Sequence, residues 1–325
     1  MNMPFRADPL DLPTPTDMSG DRRKVGVEIE LAGLSEKDLA HLIAEECGGT
    51  VEEEAAHEFR VRDTDLGEIQ VYLDTAFRKS ATSKWHEVGL DLAREIVPVE
   101  IVTAPLDPNQ LGRLDRICAM ARENGAIGSR SGWLLGFGVH LNVQITGERL
   151  ADILPTLQAY ALCEDVLRHT DPIDTSRRLL PFVDPYSRAL VDCLAKADFR
   201  TIGDLIAAYL DTDPTRDRGL DMLPIFKHID QGAVDAAVHG LSPVSARPAY
   251  HYRLPDCRID EPDWSVGAEW ARWVAIERIA EDDAVLAELA FAWAGHRTAL
   301  TTLRTDWART AMEILSQYGH RELLP

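Results

Sequence analysis

Short runs in which apolar and polar residues alternate are interleaved along the chain with longer runs in which apolar residues recur every three or four positions. The first run, residues 23–31, is rich in β-branched side chains and predicts a strand. Val25, Val27, Ile29 and Leu31 share one face of it, and Glu28 and Glu30 share the other. Ser35-Glu36-Lys37-Asp38 has the form of a capping box, Leu39, Leu42 and Ile43 supply an apolar stripe, and Gly48-Gly49 ends the predicted helix. Residues 50–61 and 68–75 read as the two arms of a hairpin, with Val71 and Leu73 on one face and Gln70, Tyr72 and Asp74 on the other. A helix is predicted over 84–96, a strand over 97–104 that carries Glu100 opposite Val99 and Ile101, and a helix over 111–124. Residues 137–145 then alternate without a break. Phe137, Val139, Leu141, Val143 and Ile145 form their apolar face, and His140, Asn142 and Gln144 the polar one.

The pattern from 148 to 209 is mostly helical, interrupted at 171–185, where the Arg177-Arg178 pair reads as a solvated helix start. Residues 218–225 resemble a further strand, and 227–241 a helix or loop. The last strand, 249–254, sets His251 and Arg253 against Tyr250 and Tyr252. Residues 266–281 and 283–317 predict long amphipathic helices, in which Trp270 and Trp273 belong to packing.

Composition narrows the function classes. The 325 residues carry a net charge of −20, which disfavours a nucleic-acid partner. No apolar run reaches the length of a membrane span, so no membrane partner is expected. Residues 1–21, rich in Pro and Asp, read as a flexible leader. The five cysteines are scattered singly, as expected of free thiols in a reducing cytoplasm. Of the 34 basic residues 28 are Arg, whose planar forks suit phosphate or carboxylate.

The candidate chemistry lies in a recurrence. Glu28 and Glu30 stand roughly 6–7 Å apart along a rigid strand, and a hard cation such as Mg²⁺ is their natural partner. Alone, they fit an edge strand with a solvated face better. But Asp74, Glu100, His140, Asn142, His251 and Arg253 occupy the polar faces of successive strands, and Lys is scarce among them. If those strands form one sheet, its polar face is a candidate metal-and-phosphate site.

In this order, Val25-Gly26-Val27-Glu28-Ile29-Glu30, the strand ending at Asp74, Val99-Glu100-Ile101-Val102-Thr103-Ala104-Pro105-Leu106, Gly138-Val139-His140-Leu141-Asn142-Val143, Arg218-Gly219-Leu220-Asp221-Met222 and Tyr250-His251-Tyr252-Arg253-Leu254-Pro255 resemble the amidoligase family. That family lies within the carboxylate–amine ligase superfamily, which includes glutamine synthetase and glutamate–cysteine ligase. The resemblance implies an α+β fold, a curved antiparallel sheet with helices packed behind it. It implies one catalytic domain over residues 22–325, with a helical region near 148–215 flanking the cleft. It also implies ATP and Mg²⁺ as cofactors and an amide or isopeptide bond formed through an acyl phosphate, from small-molecule or peptide carboxylate and amine substrates. Glu28, Glu30, Glu100 and His251 would then hold metal, and His140, Asn142, Arg253 and Arg218 would contact the nucleotide. Asp74, Arg253 and Arg218 would serve catalysis. Two positions depart from the family pattern: His251 stands where Glu is usual, and Asp221 where Asn is common. Other classes compatible with the sequence are a non-catalytic nucleotide- or peptide-binding descendant and, less well supported, a divalent-metal hydrolase.

Overall fold

In the computed structural model, the described residues are 10–73, 98–129, 136–178, 183–196, 198–238 and 244–323. Asp74 and the helix predicted over 84–96 lie outside them.

Eight strands make one antiparallel sheet: β1 (Val25–Leu31), β2 (Thr50–Ala55), β3 (Glu58–Thr64), β4 (Gly67–Leu73), β5 (Val99–Thr103), β6 (Val139–Gln144), β7 (Leu220–Asp221) and β8 (Ala249–Tyr252). Their spatial order is β2-β3-β4-β5-β1-β6-β8-β7. The opening strand is therefore central, with β5 on one side and β6 on the other. Its apolar side chains Val25, Val27, Ile29 and Leu31 are fully buried, which pins the register and forces Glu28 and Glu30 onto the opposite face.

Helices form the rest: α1 (Glu36–Cys47), α2 (Leu111–Glu123), α3 (Leu150–Thr170), α4 (Thr175–Arg178), α5 (Arg188–Lys196), α6 (Ile202–Thr212), α7 (Leu223–Ile229), α8 (Gln231–Ala237), α9 (Val266–Ala280), α10 (Asp283–Thr298) and α11 (Arg304–Gln317). Ser35 caps α1 by accepting a hydrogen bond from the Asp38 amide at 3.1 Å. Helix α3 is buried on nearly every side from Ile153 to Leu167 because α5, α9, α10 and α11 pack around it. A helix so enclosed has no solvent stripe, which is why its sequence lacks a strong amphipathic period.

Several expectations need correction. Residues 50–61 are not one arm of a hairpin; the chain reverses at Ala56-His57, with His57 at φ 67°, so β2 and β3 are separate strands. The strand expected over 218–225 shrinks to Leu220–Asp221. The Asp221 carboxylate accepts the Leu223 amide at 3.0 Å and, with Pro224 in the first turn, starts α7. The helix expected over 283–317 is two, because Ala299 is extended (ψ 159°) and the chain re-enters helix at Arg304. Of the leader, residues 10–21 lie along the body: Leu12 is buried, and the Leu10 carbonyl accepts the Trp270 indole N–H at 2.7 Å.

Candidate metal and anion site

Cross-strand register assembles the site. Glu30 lies opposite Glu100, Glu28 opposite His140, Gly26 opposite Asn142, Asn142 opposite His251, and His251 opposite Asp221. Directly opposed residues share a face, so carboxylates and imidazoles from β1, β5, β6, β7 and β8 converge across the middle of the sheet. Glu30, Glu100, His140 and His251 are all buried.

Within this group the contacts are specific. The Glu28 carboxylate meets His140 Nδ1 at 2.9 Å and accepts a hydrogen bond from the Asn142 amide at 2.8 Å. Glu30 accepts the Gly138 backbone N–H at 2.7 Å and stands 3.9 Å from His140 Nε2. His251 Nδ1 lies 3.3 Å from the buried Asp221 carboxylate, its ring meets His140 edge-on at 5.3 Å between centroids, and its Nε2 is 3.9 Å from Glu28. Two overlapping groups with metal-ligating geometry result, among the described residues. One is Glu30, Glu100 and His140, the other Glu28, His140 and His251, with ligand atoms in each within 4.8 Å of one another.

Electrostatics set the protonation states. Burial pushes the Glu28 carboxyl up, but hydrogen bonds and charge from His140 and His251 outweigh it and hold the group well below the usual carboxylate range. Burial pulls the His140 imidazole down to about 3 despite Glu28 beside it. Near neutrality, then, a carboxylate faces a neutral imidazole that donates from Nδ1, leaving Nε2 a lone pair directed towards Glu30. For Asp221, burial is overcome by His251 and then by Arg216, and its carboxyl stays below its ordinary value.

Guanidinium groups border the carboxylates. Arg247 lies 3.7 Å from Glu28, and Arg216 3.3 Å from Asp221. Arg253 donates to the Arg216 carbonyl at 2.8 Å. The Nε atoms of Arg247 and Arg253 are buried without a partner, an arrangement suited to an anion that brings acceptors of its own.

Not every expected residue joins the group. Arg218 is tied to Asp213, with Nε 3.0 Å from both carboxylate oxygens, and to the Pro185 carbonyl at 3.1 Å. Arg177 is not solvated: it is buried and donates to the carbonyls of Arg253, Leu254 and Pro255 and to Asp256, bracing the chain just after β8. Towards the β2 edge the same sheet face changes character. Arg60 and Arg62 form a ladder with Glu52, Glu54 and Glu68, the mixed-charge pattern of a solvated face. Arg216, Arg247 and Asp256 escaped the sequence reading because loops carry them, where no period marks the direction of a side chain.

The fold and this face define an α+β protein whose open antiparallel sheet presents a carboxylate–imidazole cluster ringed by arginines. A family model described as "Putative amidoligase enzyme" matches residues 21–275, and the chain belongs to that family. Its role is accordingly that of a ligase. The match ends within α9, and α10 and α11 lie beyond it. No curated protein matches the chain.

Proposed function

We propose that the protein is an ATP-dependent carboxylate–amine ligase, forming an amide or isopeptide bond through an acyl phosphate on a small-molecule or peptide substrate. The observation that supports this reading is the convergence of Glu28, Glu30, Glu100, His140 and Asn142 beside Arg247 and Arg253 on one sheet face.

The donors decide what the site fits. Glu30 and Glu100 offer the oxygen ligands a Mg²⁺ ion requires, and these two would hold it. A bound cation there would neutralise charge on the transferring phosphoryl group. Arg253 and Arg247, with unpartnered buried Nε atoms, would bind phosphate oxygens. Asn142 holds Glu28, and Glu28 in turn orients His140. Arg218, neutralised by Asp213, is left out of the reaction. Asp74 remains the sequence's candidate for positioning the amine.

The test is nucleotide binding and turnover. Glu28→Ala and Glu30→Ala are each expected to weaken Mg·ATP binding about 10-fold or more, measured by calorimetry; unchanged affinity would sink the metal assignment. Phosphate release from ATP should appear only when a carboxylate and an amine acceptor are both supplied. A second reading, a non-catalytic nucleotide- or peptide-binding descendant, is favoured by His251 in a position where the family uses Glu. It predicts nucleotide binding with no phosphate release across the same substrates.

A further inference from the structure

Where β8 ends, the sheet becomes irregular. Leu141 of β6 lies opposite Tyr252, and the next bridge between the same two stretches joins Gly138 to Asp256. Val139 and His140 on one side are therefore matched by Arg253, Leu254 and Pro255 on the other. One extra residue in one strand is a β-bulge, a device that re-aims the side chains beside it. Pro255, with no N–H to give a ladder, suits such a place.

Successive carbonyls of a regular strand point alternately to its two neighbours. Here all three carbonyls of the bulge turn to a single group. Arg177 Nη2 donates to the Arg253 carbonyl at 2.8 Å, and Nη1 donates to those of Leu254 and Pro255 at 2.9 and 2.7 Å. The same Nη1 meets Asp256 Oδ1 at 3.0 Å. Asp256 Oδ2 accepts the Asp174 amide at 2.6 Å and so fastens the start of α4 to the bulge. Arg177 is 2% exposed, which leaves it no surface for a ligand of its own. Gly138 makes room for its guanidinium and donates its own N–H to Glu30. One short stretch of backbone thus fixes a carboxylate of the metal pair on one side and the root of the Arg253 side chain on the other.

The Arg253 guanidinium is the part of this arrangement turned to the site. Its Nη1 donates to the Arg216 carbonyl at 2.8 Å, its Nε is buried without a partner, and the charges of Asp221 and Glu30 act on it. We propose that Arg177 is a positioning residue for the anion subsite: by satisfying the bulge at Arg253–Pro255 it holds the Arg253 guanidinium ready for a phosphate group. This rests on the reading of the sheet face as a Mg·ATP site. The rival account is that Arg177 only staples α4 to the sheet.

The experiment is a double-mutant cycle on the full chain, with Mg·ATP and Mg·pyrophosphate as calorimetric probes. Arg177→Lys, which keeps the charge and loses the fork, and Arg253→Gln are each expected to weaken both probes about 10-fold. The double variant should bind within about 2-fold of Arg253→Gln alone, because Arg177 acts through Arg253. A staple predicts either no loss from Arg177→Lys or losses that multiply to about 100-fold. Circular dichroism and melting establish which variants fold. Asp256→Asn, nearly isosteric, repeats the cycle with an expected loss of about 2- to 10-fold and carries it if Arg177→Lys does not fold. Multiplying losses, or unchanged affinity for both probes in a folded Arg177 variant, would overturn the proposal and leave the ligase reading in place. Coupled losses for Mg·pyrophosphate with no binding of Mg·ATP would uphold the positioning role and remove the ligase reading. Binding of neither probe would remove both.

Discussion

Glu28 shows how much a single position depends on its neighbours. On its own strand it is one of two exposed carboxylates; in the sheet it is pinned by Asn142 at 2.8 Å and His140 at 2.9 Å, with Arg247 at 3.7 Å. That arrangement has a consequence in acid. The His140 imidazole is depressed from 6.5 to about 3 in the folded protein, so the unfolded chain takes up the proton first, and stability is lost as pH falls below about 6.5. Glu28, also depressed on folding, adds a loss in the same direction at lower pH, below the ordinary carboxylate range. The metal-free protein is therefore expected to lose stability between pH 7 and about 5, by up to about 1.4 kcal/mol per pH unit for the one proton on His140. Urea unfolding at a series of pH values measures this. His140→Gln should flatten the upper part of the profile, and an equally steep profile in the variant would exclude His140 as its source.

Among the elements, the passage from α1 to β2 separates what a pattern can say from what packing adds. Both Gly48 and Gly49 have positive φ, 73° and 97°, and both read in the sequence simply as a helix terminator. A Cβ at residue 48 would meet nothing, whereas one at residue 49 would collide with the Arg62 carbonyl on β3. Gly48→Ala should therefore cost about 1 kcal/mol, from backbone strain alone. Gly49→Ala should cost about 2–3 kcal/mol or more. Comparing denaturation midpoints decides this; equal losses would mean that β3 gives way freely. The turn at Ala56-His57 was invisible for a related reason. It uses no glycine, and His57, held by Glu36 at 2.6 Å, takes the left-handed conformation instead. Arg177 makes the same point at the other end of the sheet. A Cβ at residue 138 would lie 2.6 Å from its Nη2 and 3.1 Å from His140 Nε2, so Gly138 permits both the brace after β8 and the approach of the imidazole.

For the molecule as a whole, the two helices beyond the family match are integral to the core. Trp307 of α11 is 1% exposed, donates its indole N–H to the Leu162 carbonyl of α3 at 2.9 Å, and meets Trp293 of α10 at 5.0 Å between rings. Trp307→Ala is expected to destabilise the fold by about 3–5 kcal/mol, measured by chemical denaturation; a loss under about 1 kcal/mol would show α11 to be dispensable. A bidentate ion pair, Arg23 to Glu277 at 2.7 Å on both arms, likewise ties the chain two residues before β1 to α9. Among the described residues, no helix is long and apolar enough to cross a membrane.

What the sequence determined by itself was direction. Strict alternation assigns Val25, Val27, Ile29 and Leu31 to the core and Glu28 and Glu30 to the other face, whatever the strand pairs with. The same logic assigns Glu100, His140, Asn142 and His251 to the polar faces of their strands, and the motif order placed the chain in its family. Only the tertiary structure decided distance and company. Alternation has a period but no register across strands, so it could not say that Glu30 faces Glu100, or that His140 sits between Glu28 and Glu30. Nor could it say that Asp213 claims Arg218 while Asp221 aims His251 at Glu28. Those pairings bring together residues far apart in sequence, several of them on loops, where burial and hydrogen bonding set the direction of a side chain in place of any local repeat.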